Sequence, residues 1–341
     1  MKHYLEKLLS QENLTLEEMK GAATATFADH ISESELASFL TALRAKGETP
    51  EEIAGLAEVI RLQSSQTTNT LTDVMDNCGT GGDGSHSFNI STTAAFVLAG
   101  AGVKVAKHGN RSVSSKTGSA DVLEHLGISL SFSKEHVEEM IQENNIAFLY
   151  APHVLPGMKR FMTVRKNLGI PTIFNLVGPL TNPVNLDTQL LGSYRRDMLP
   201  VLAETLHQLG RKRALVINGA GYMDEASLAG DNHISLMDEG KVTSFTLHPS
   251  EVNLPVYDND DIRGGDAKDN AAILLDVLNG KKGPYYDTVL LNAGIGLFAN
   301  GAAASIKDGI QKAEESIQSS AAMEKLQRLV DYSSKITSEA I

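Results

Sequence analysis

Cysteine, basic charge and long apolar runs are all scarce in this 341-residue sequence. Lys plus Arg number 30 against 42 Asp plus Glu, a net charge of −12. Sequence-independent nucleic-acid binding neutralises phosphates, and anionic membrane surfaces attract basic segments. Neither partner suits so acidic a chain. Cys78 is the single cysteine, which excludes an internal disulfide and fits a reducing compartment. The longest apolar stretch, Ala94 to Val103, stops at Lys104, far short of the ~20 residues a membrane helix needs. Lys2, Glu6 and Lys7 interrupt the N-terminus too early for a signal peptide. The expectation is a soluble, cytoplasmic protein. Residues are 42% hydrophobic and 21% charged, so the chain folds, and its length suits two domains.

Glycine and proline are nearly absent from the first 65 residues. Three capping boxes stand there instead: Thr15–Glu18, Ser32–Glu35 and Thr49–Glu52. Pro50 follows Thr49 at the first helical position, where its missing N–H costs nothing. Apolar residues at helical spacing follow each cap, and Tyr4–Leu9 adds a fourth short helix. The polar run Gln63 to Thr70 reads as a linker.

Beyond it the texture changes to alternating strands and helices, the signature of an α/β architecture. Strands are expected at Val74-Met75, Val103–Ala106, Ala147–Tyr150, Ala214–Asn218, His233–Met237, Val242–Leu247 and Thr288–Asn292. Helices are expected at Ser91–Ala101, 118–126, 134–144, Met158–Leu168, Asp197–Leu209, Ala267–Leu278 and from Ile306 onward.

Gly79-Thr80-Gly81-Gly82-Asp83-Gly84 lies between a strand and a helix. Glycines permit positive φ and close approach of a ligand to the backbone, and successive N–H groups there form an anion nest. A tight turn explains the same residues. No Gly-Lys-Ser/Thr follows, so this is not a Walker A loop. Gly79, Gly81 and Gly84 match a dinucleotide-binding spacing, but no acidic residue ends a strand about 20 residues on. In Asn89-Ile90-Ser91-Thr92, Ser91 or Thr92 can cap the next helix, and the same free N–H groups can bind phosphate. Lys107-His108-Gly109-Asn110-Arg111 and Ser112-Val113-Ser114-Ser115 form a basic, hydroxyl-rich cluster at the carboxyl end of a strand, where open sheets bind ligands. A solvated loop is the alternative, but Lys and Arg there suit a polyanion.

With Phe174-Asn175-Leu176-Val177-Gly178-Pro179-Leu180-Thr181-Asn182-Pro183, Gly264-Gly265-Asp266-Ala267 and the pair Asp224-Glu225, these motifs resemble the anthranilate phosphoribosyltransferase family across nearly the whole chain. The resemblance implies transfer of a 5-phosphoribosyl group from 5-phosphoribosyl 1-diphosphate to anthranilate, a pentosyl transfer and the second step from chorismate to tryptophan. It implies a small N-terminal all-helical domain, 1–70, with helices returning from about 155–180. This domain is hinged to a larger α/β domain, 71–341, with a central mixed sheet flanked by helices, as in the nucleoside phosphorylases. A homodimer through the helical domain is also implied.

Carried over by position, Gly79, Gly82, Asp83, Ser87, Asn89, Ile90, Ser91, Thr92, the run Lys107, His108, Gly109, Asn110, Arg111, Ser112, Val113, Ser114, Ser115, and Ser119 would hold the phosphoribosyl diphosphate. Position 87 is commonly threonine in the family, and the serine here keeps the hydroxyl. Gly79, Asn110 and Arg165 would contact anthranilate. Ser91, Asp224 and Glu225 would bind Mg²⁺. His108 and Arg165 are the catalytic candidates, with His108 either taking a proton or only orienting substrate. Displacing diphosphate from an anomeric carbon demands stabilisation of a departing polyanion, the work of Mg²⁺, backbone N–H groups and cations. Cys78 has no role beyond packing. A pyrimidine nucleoside phosphorylase, a non-catalytic sensor of phosphoribosyl diphosphate and a transferase with another aromatic acceptor are the competing readings.

Overall fold

The computed structural model describes residues 1–28, 30–64, 70–111 and 117–339. Ser112, Val113, Ser114 and Ser115, and the middle of the expected linker, lie outside them.

The N-terminal helices are Lys2–Leu9, Leu16–Thr26, Glu33–Lys46 and Pro50–Leu62. All three capping boxes form, each hydroxyl accepting from the N3 backbone and each Glu reaching back to the cap. Such caps contribute about 1 kcal/mol each. The third does more, because Glu52 is fully buried. Its carboxylate accepts from Leu14 N at 2.9 Å and from Lys46 Nζ at 2.9 Å, tying Pro50–Leu62 to Glu33–Lys46 and to the connection before Leu16–Thr26. The chain later comes back to this bundle. Helix Lys159–Leu168 packs on Glu33–Lys46, and Phe174–Val177 packs on Pro50–Leu62.

The remainder is built on one sheet of seven strands: β1 Val74–Gly79, β2 Lys104–Gly109, β3 Ile146–Tyr150, β4 Thr188–Gly192, β5 Arg213–Asn218, β6 Asn232–Asp238 and β7 Lys241–Leu247. Their order is β3-β2-β1-β4-β5-β6-β7. The first five run parallel, and β6 and β7 are antiparallel. After β1 the chain winds outward to β2 and β3, then returns to lay β4 on the other side of β1. That reversal makes the carboxyl ends of β1 and β4 a topological switch point, where open sheets bind ligands. Helix Ile90–Gly100 is buried along most of its length between the sheet and helices Pro284–Asn300 and Ala321–Glu339. Its apolar run is thus core, and no helix among the described residues is long and apolar enough to cross a membrane.

Three expectations need correction. Thr288–Asn292 is no strand; it lies inside the 17-residue helix Pro284–Asn300. That helix is buried on all sides, so its sequence carries no amphipathic period, and a short apolar run alone does not separate strand from helix. Conversely, β4 was missed: Thr-Gln-Leu-Leu-Gly shows no alternation because every residue of it is buried. The helix after the glycine loop begins at Ile90, with Asn89 at the cap position, so neither Ser91 nor Thr92 caps it.

Candidate active site

One cleft of about 930 Å³ opens at the switch point, between the sheet's carboxyl edge and the helical bundle. Every described residue of the expected site set borders it.

The glycine loop leaves β1 through three left-handed positions, Gly81, Gly82 and Gly84, at φ +68, +80 and +71. This backbone brings the loop under the acid pair. Gly81 N donates to Asp224 Oδ2 at 2.6 Å, and Asp224 N donates to Asp83 Oδ2 at 3.3 Å. Beside them, Ser91 N, in the first turn of its helix, donates to Glu225 Oε1 at 3.1 Å. The helix N-terminus thus already faces an anion, as its dipole favours.

Glycines also make room for the pair from two strand ends. A Cβ on Gly79 would collide with Asp224 Oδ2, and one on Gly192 with the Asp224 carbonyl. Gly219, just after β5, would likewise meet the Glu225 carbonyl. Asp224 and Glu225 are half-buried and border the cleft. Burial, with Asp83 and each other as like charges, holds Asp224 well above the ordinary carboxylate range. Burial lifts Glu225 to about 7 against the opposing pull of Lys107 and the Ser91 bonds. Crowded carboxylates that resist ionisation have the chemistry of a cation site. Among the described residues no cluster of three His, Cys, Asp or Glu side chains forms a closed metal cage. One or two carboxylates, with oxygen from the substrate, is the donor set Mg²⁺ takes. Ser91, Asp224 and Glu225 fit that ion.

From β2, Lys107 and His108 are buried below the cleft. His108 N donates to Asp76 Oδ1 at 3.2 Å. Its Nε2 has no partner among the described residues. Burial depresses the imidazole to about 4, so it is neutral at pH 7. The Arg111 guanidinium turns aside, held by Asp121 at 2.7 Å and Glu124 at 2.8 Å. These partners hold its charge, although Arg111 itself borders the cleft.

The opposite wall is apolar, with Leu155, Met158, Met162, Phe174 and Val177. Arg165 stands among them on helix Lys159–Leu168. Its guanidinium lies 5.7 Å from the Phe174 ring centroid and donates to Met162 Sδ at 3.4 Å. Burial lowers its pKa, so a carboxylate arriving there would meet a poorly hydrated cation.

Two further motifs brace the site. Asn182 Nδ2 donates to Asp76 Oδ2 at 2.9 Å and to the Ala106 carbonyl at 2.8 Å, locking the 174–183 segment beneath β1 and β2. Asn270, in the helix capped by Asp266, donates to Asn89 Oδ1 at 2.8 Å. Sequence reasoning missed Asp76, although an aspartate inside a buried strand is a visible anomaly. It also missed Gly192, which carries no local signal.

The glycosyl transferase family model for the helical bundle domain matches residues 2–64, and that for the a/b domain matches 71–323. Anthranilate phosphoribosyltransferase of Exiguobacterium sibiricum is 60% identical over 329 residues, 96% of this chain and 97% of its own. The crystal structure of that enzyme from Thermus thermophilus superposes with a TM-score of 0.92 at 40% identity, covering 97% of this chain and 99% of its own. The Saccharomyces cerevisiae enzyme, solved in complex with PRPP and Mg, gives 0.88 at 31% identity, covering 98% of this chain and 97% of its own. Two modules in the same order, with high identity across almost all of both chains, settle the relationship: this chain belongs to the anthranilate phosphoribosyltransferase family.

Proposed function

We propose that the chain transfers the phosphoribosyl group of 5-phosphoribosyl 1-diphosphate (PRPP) to anthranilate, releasing diphosphate, on the route to tryptophan. The carrying observation is the polarity of the cleft. Its sheet side gathers the glycine loop, the helix N-terminus and the acid pair, and its bundle side is an apolar pocket tipped by Arg165. One side suits a phosphorylated sugar and the other an aromatic carboxylate.

In this reading Gly79, Gly82, Asp83, Ser87, Asn89, Ile90, Ser91 and Thr92, the run 107–115 and Ser119 seat PRPP, and Gly79, Asn110 and Arg165 seat anthranilate. Ser91, Asp224 and Glu225 hold Mg²⁺, which when bound supplies positive charge to the departing diphosphate. The anthranilate nitrogen attacks C1 with its lone pair, and the C1–O bond to diphosphate breaks with its electrons. The nitrogen then gives its extra proton to water. An aniline nitrogen is neutral at pH 7, so positioning and electrostatics do most of the catalysis. Loss of anthranilate fluorescence on adding PRPP and Mg²⁺ tests the assignment, with uridine plus phosphate as the phosphorylase control. Release of uracil with no fluorescence loss would overturn it.

Arg165→Ala is expected to raise the anthranilate KM by about 10- to 100-fold, the worth of a charged hydrogen bond. An unchanged KM would remove Arg165 from the pocket. His108, neutral near pH 7, orients substrate rather than acting as base. His108→Gln is then expected to keep activity and a flat rate profile between about pH 6 and 8. A limb near pH 6.5 present only in the unsubstituted enzyme would show a titrating base. Because folding depresses this imidazole from 6.5 to about 4, its unfolded form binds the proton more readily. Stability therefore falls as pH drops from about 6.5 towards 4, and His108→Gln removes that slope.

Residues 1–70 with 155–180 act as one closing domain and the rest of 71–341 as the other. The bundle also leaves Leu9 and Leu62 exposed, 72% and 79%, apolar surface that a second copy would cover in a homodimer. Light scattering giving the monomer mass at micromolar concentration would refute that assembly. The single buried cysteine fits a cytoplasmic enzyme.

A further inference from the structure

The loop that delivers the acid pair is clamped from outside the cleft. Gly219 N donates to the Met223 carbonyl at 2.9 Å, so residues 219–223 form a tight turn leading straight into Asp224. Tyr222 stands in that turn at φ +63, a left-handed conformation that a bulky side chain enters only against local strain. It is 59% exposed, so core packing does not hold it there. Arg196 does: its guanidinium carbon lies 4.4 Å from the Tyr222 ring centroid. The same guanidinium donates from Nε to Asn218 Oδ1 at 2.8 Å. Asn218 Nδ2 in turn donates to the Ser193 carbonyl at 2.7 Å and the Met223 carbonyl at 3.3 Å. Arg196 therefore grips both ends of the turn, and neither Arg196 nor Tyr222 borders the cleft.

We propose that Arg196 is a positioning residue for the diphosphate end of the site: by stacking on Tyr222 and bonding Asn218 it holds 219–223 in the shape that presents Asp224 and Glu225. The inference rests on the metal role proposed for those carboxylates. Asn259 Nδ2 also reaches the turn, donating to the Ala220 carbonyl at 2.9 Å, but the Arg196 stack is the contact on the ring of the strained residue itself. Without the guanidinium that ring is released, and the acid pair spends part of its time facing away. A ligand that needs the competent arrangement then binds more weakly by the fraction of time it is lost. Glycine accepts positive φ at no steric cost. Tyr222→Gly thus makes the turn hold its own shape and Arg196 largely dispensable.

The test is calorimetric titration of PRPP into the full chain over a range of Mg²⁺ concentrations, with no anthranilate present, so that binding is read without turnover. R196A is expected to raise the Mg²⁺ concentration giving half-maximal PRPP binding by about 3- to 10-fold, the scale of a lost cation–π contact plus a relaxed turn. Y222F keeps the ring and is expected to bind like the unsubstituted chain. R196A/Y222G is expected to recover to within about twofold, since the strained residue is gone. In turnover, R196A raises the KM for PRPP more than it lowers kcat and leaves the anthranilate KM unchanged. Should R196A fail to fold, Y222L removes the stack from the other side and is expected to show the same rise. Binding by R196A equal to the unsubstituted chain, or R196A/Y222G as weak as R196A, would overturn the proposal. PRPP binding by the unsubstituted chain that ignores Mg²⁺ would overturn the metal reading beneath it, and is seen before any variant is made.

Discussion

Converting Asp224 to Asn and Glu225 to Gln together is expected to lower kcat/KM for PRPP by about 10³-fold and to leave the residual activity indifferent to Mg²⁺. Both amides keep the shape of the acids, so Gly81 N and Ser91 N still have oxygens to donate to. What disappears is the negative charge that, in the proposed metal role, would attract the cation. The effect on stability has the opposite sign. Folding raises both carboxyl groups above their ordinary values, Glu225 from 4.5 to about 7, so ionising them at neutral pH opposes the folded state. Neutral amides remove that penalty, and Tm is expected to hold or rise. A Mg²⁺ titration of activity beside a melting curve checks both statements. An inactive double variant with a lowered Tm would show the pair to be structural instead.

Gly192→Ala is the second large effect expected. The position of its Cβ is taken by the carbonyl of Asp224, and backbone on both sides leaves no flexible side chain to give way. Gly192 also pairs with Gly79 on β1 and Ile217 on β5, and its carbonyl accepts from Thr80 N at 2.9 Å. An added methyl group must therefore push the acid pair outward, not the sheet aside. Misplacing such groups by about 1 Å costs on the order of 10²-fold in rate. Activity is expected to fall by that factor or more, while Arg165 and the apolar wall across the cleft, the main part of the proposed anthranilate pocket, still bind anthranilate. Quenching of anthranilate fluorescence by the variant, read beside its turnover, separates local displacement from general unfolding. Turnover near that of the unsubstituted chain would mean the loop accommodates a Cβ there.

Arg111 shows how residue type can be legible while its use is not. A basic residue after β2 is visible in the sequence, but Asp121 and Glu124 compete for its guanidinium in the folded chain. Lys107 is similar: its charge lies buried beneath Glu225 and pulls that carboxyl down, rather than standing free in solvent.

The features the sequence determined by itself are those whose partners lie close along the chain. A capping hydroxyl finds its backbone N–H three residues on, and the glycine turn needs only its own dihedrals. The caps and the glycine loop were therefore readable in order. Tertiary structure alone decided whatever depends on burial. Thr288–Asn292 became helix and Thr188–Gly192 strand because both are enclosed on all sides, which erases the periodicity that tells them apart. It also decided the acid pair. Asp224 meets Gly81 across 143 residues and Glu225 meets Ser91 across 134. Only that convergence, at the carboxyl ends of strands brought side by side, removes the water that would otherwise leave two adjacent carboxylates an ordinary piece of surface.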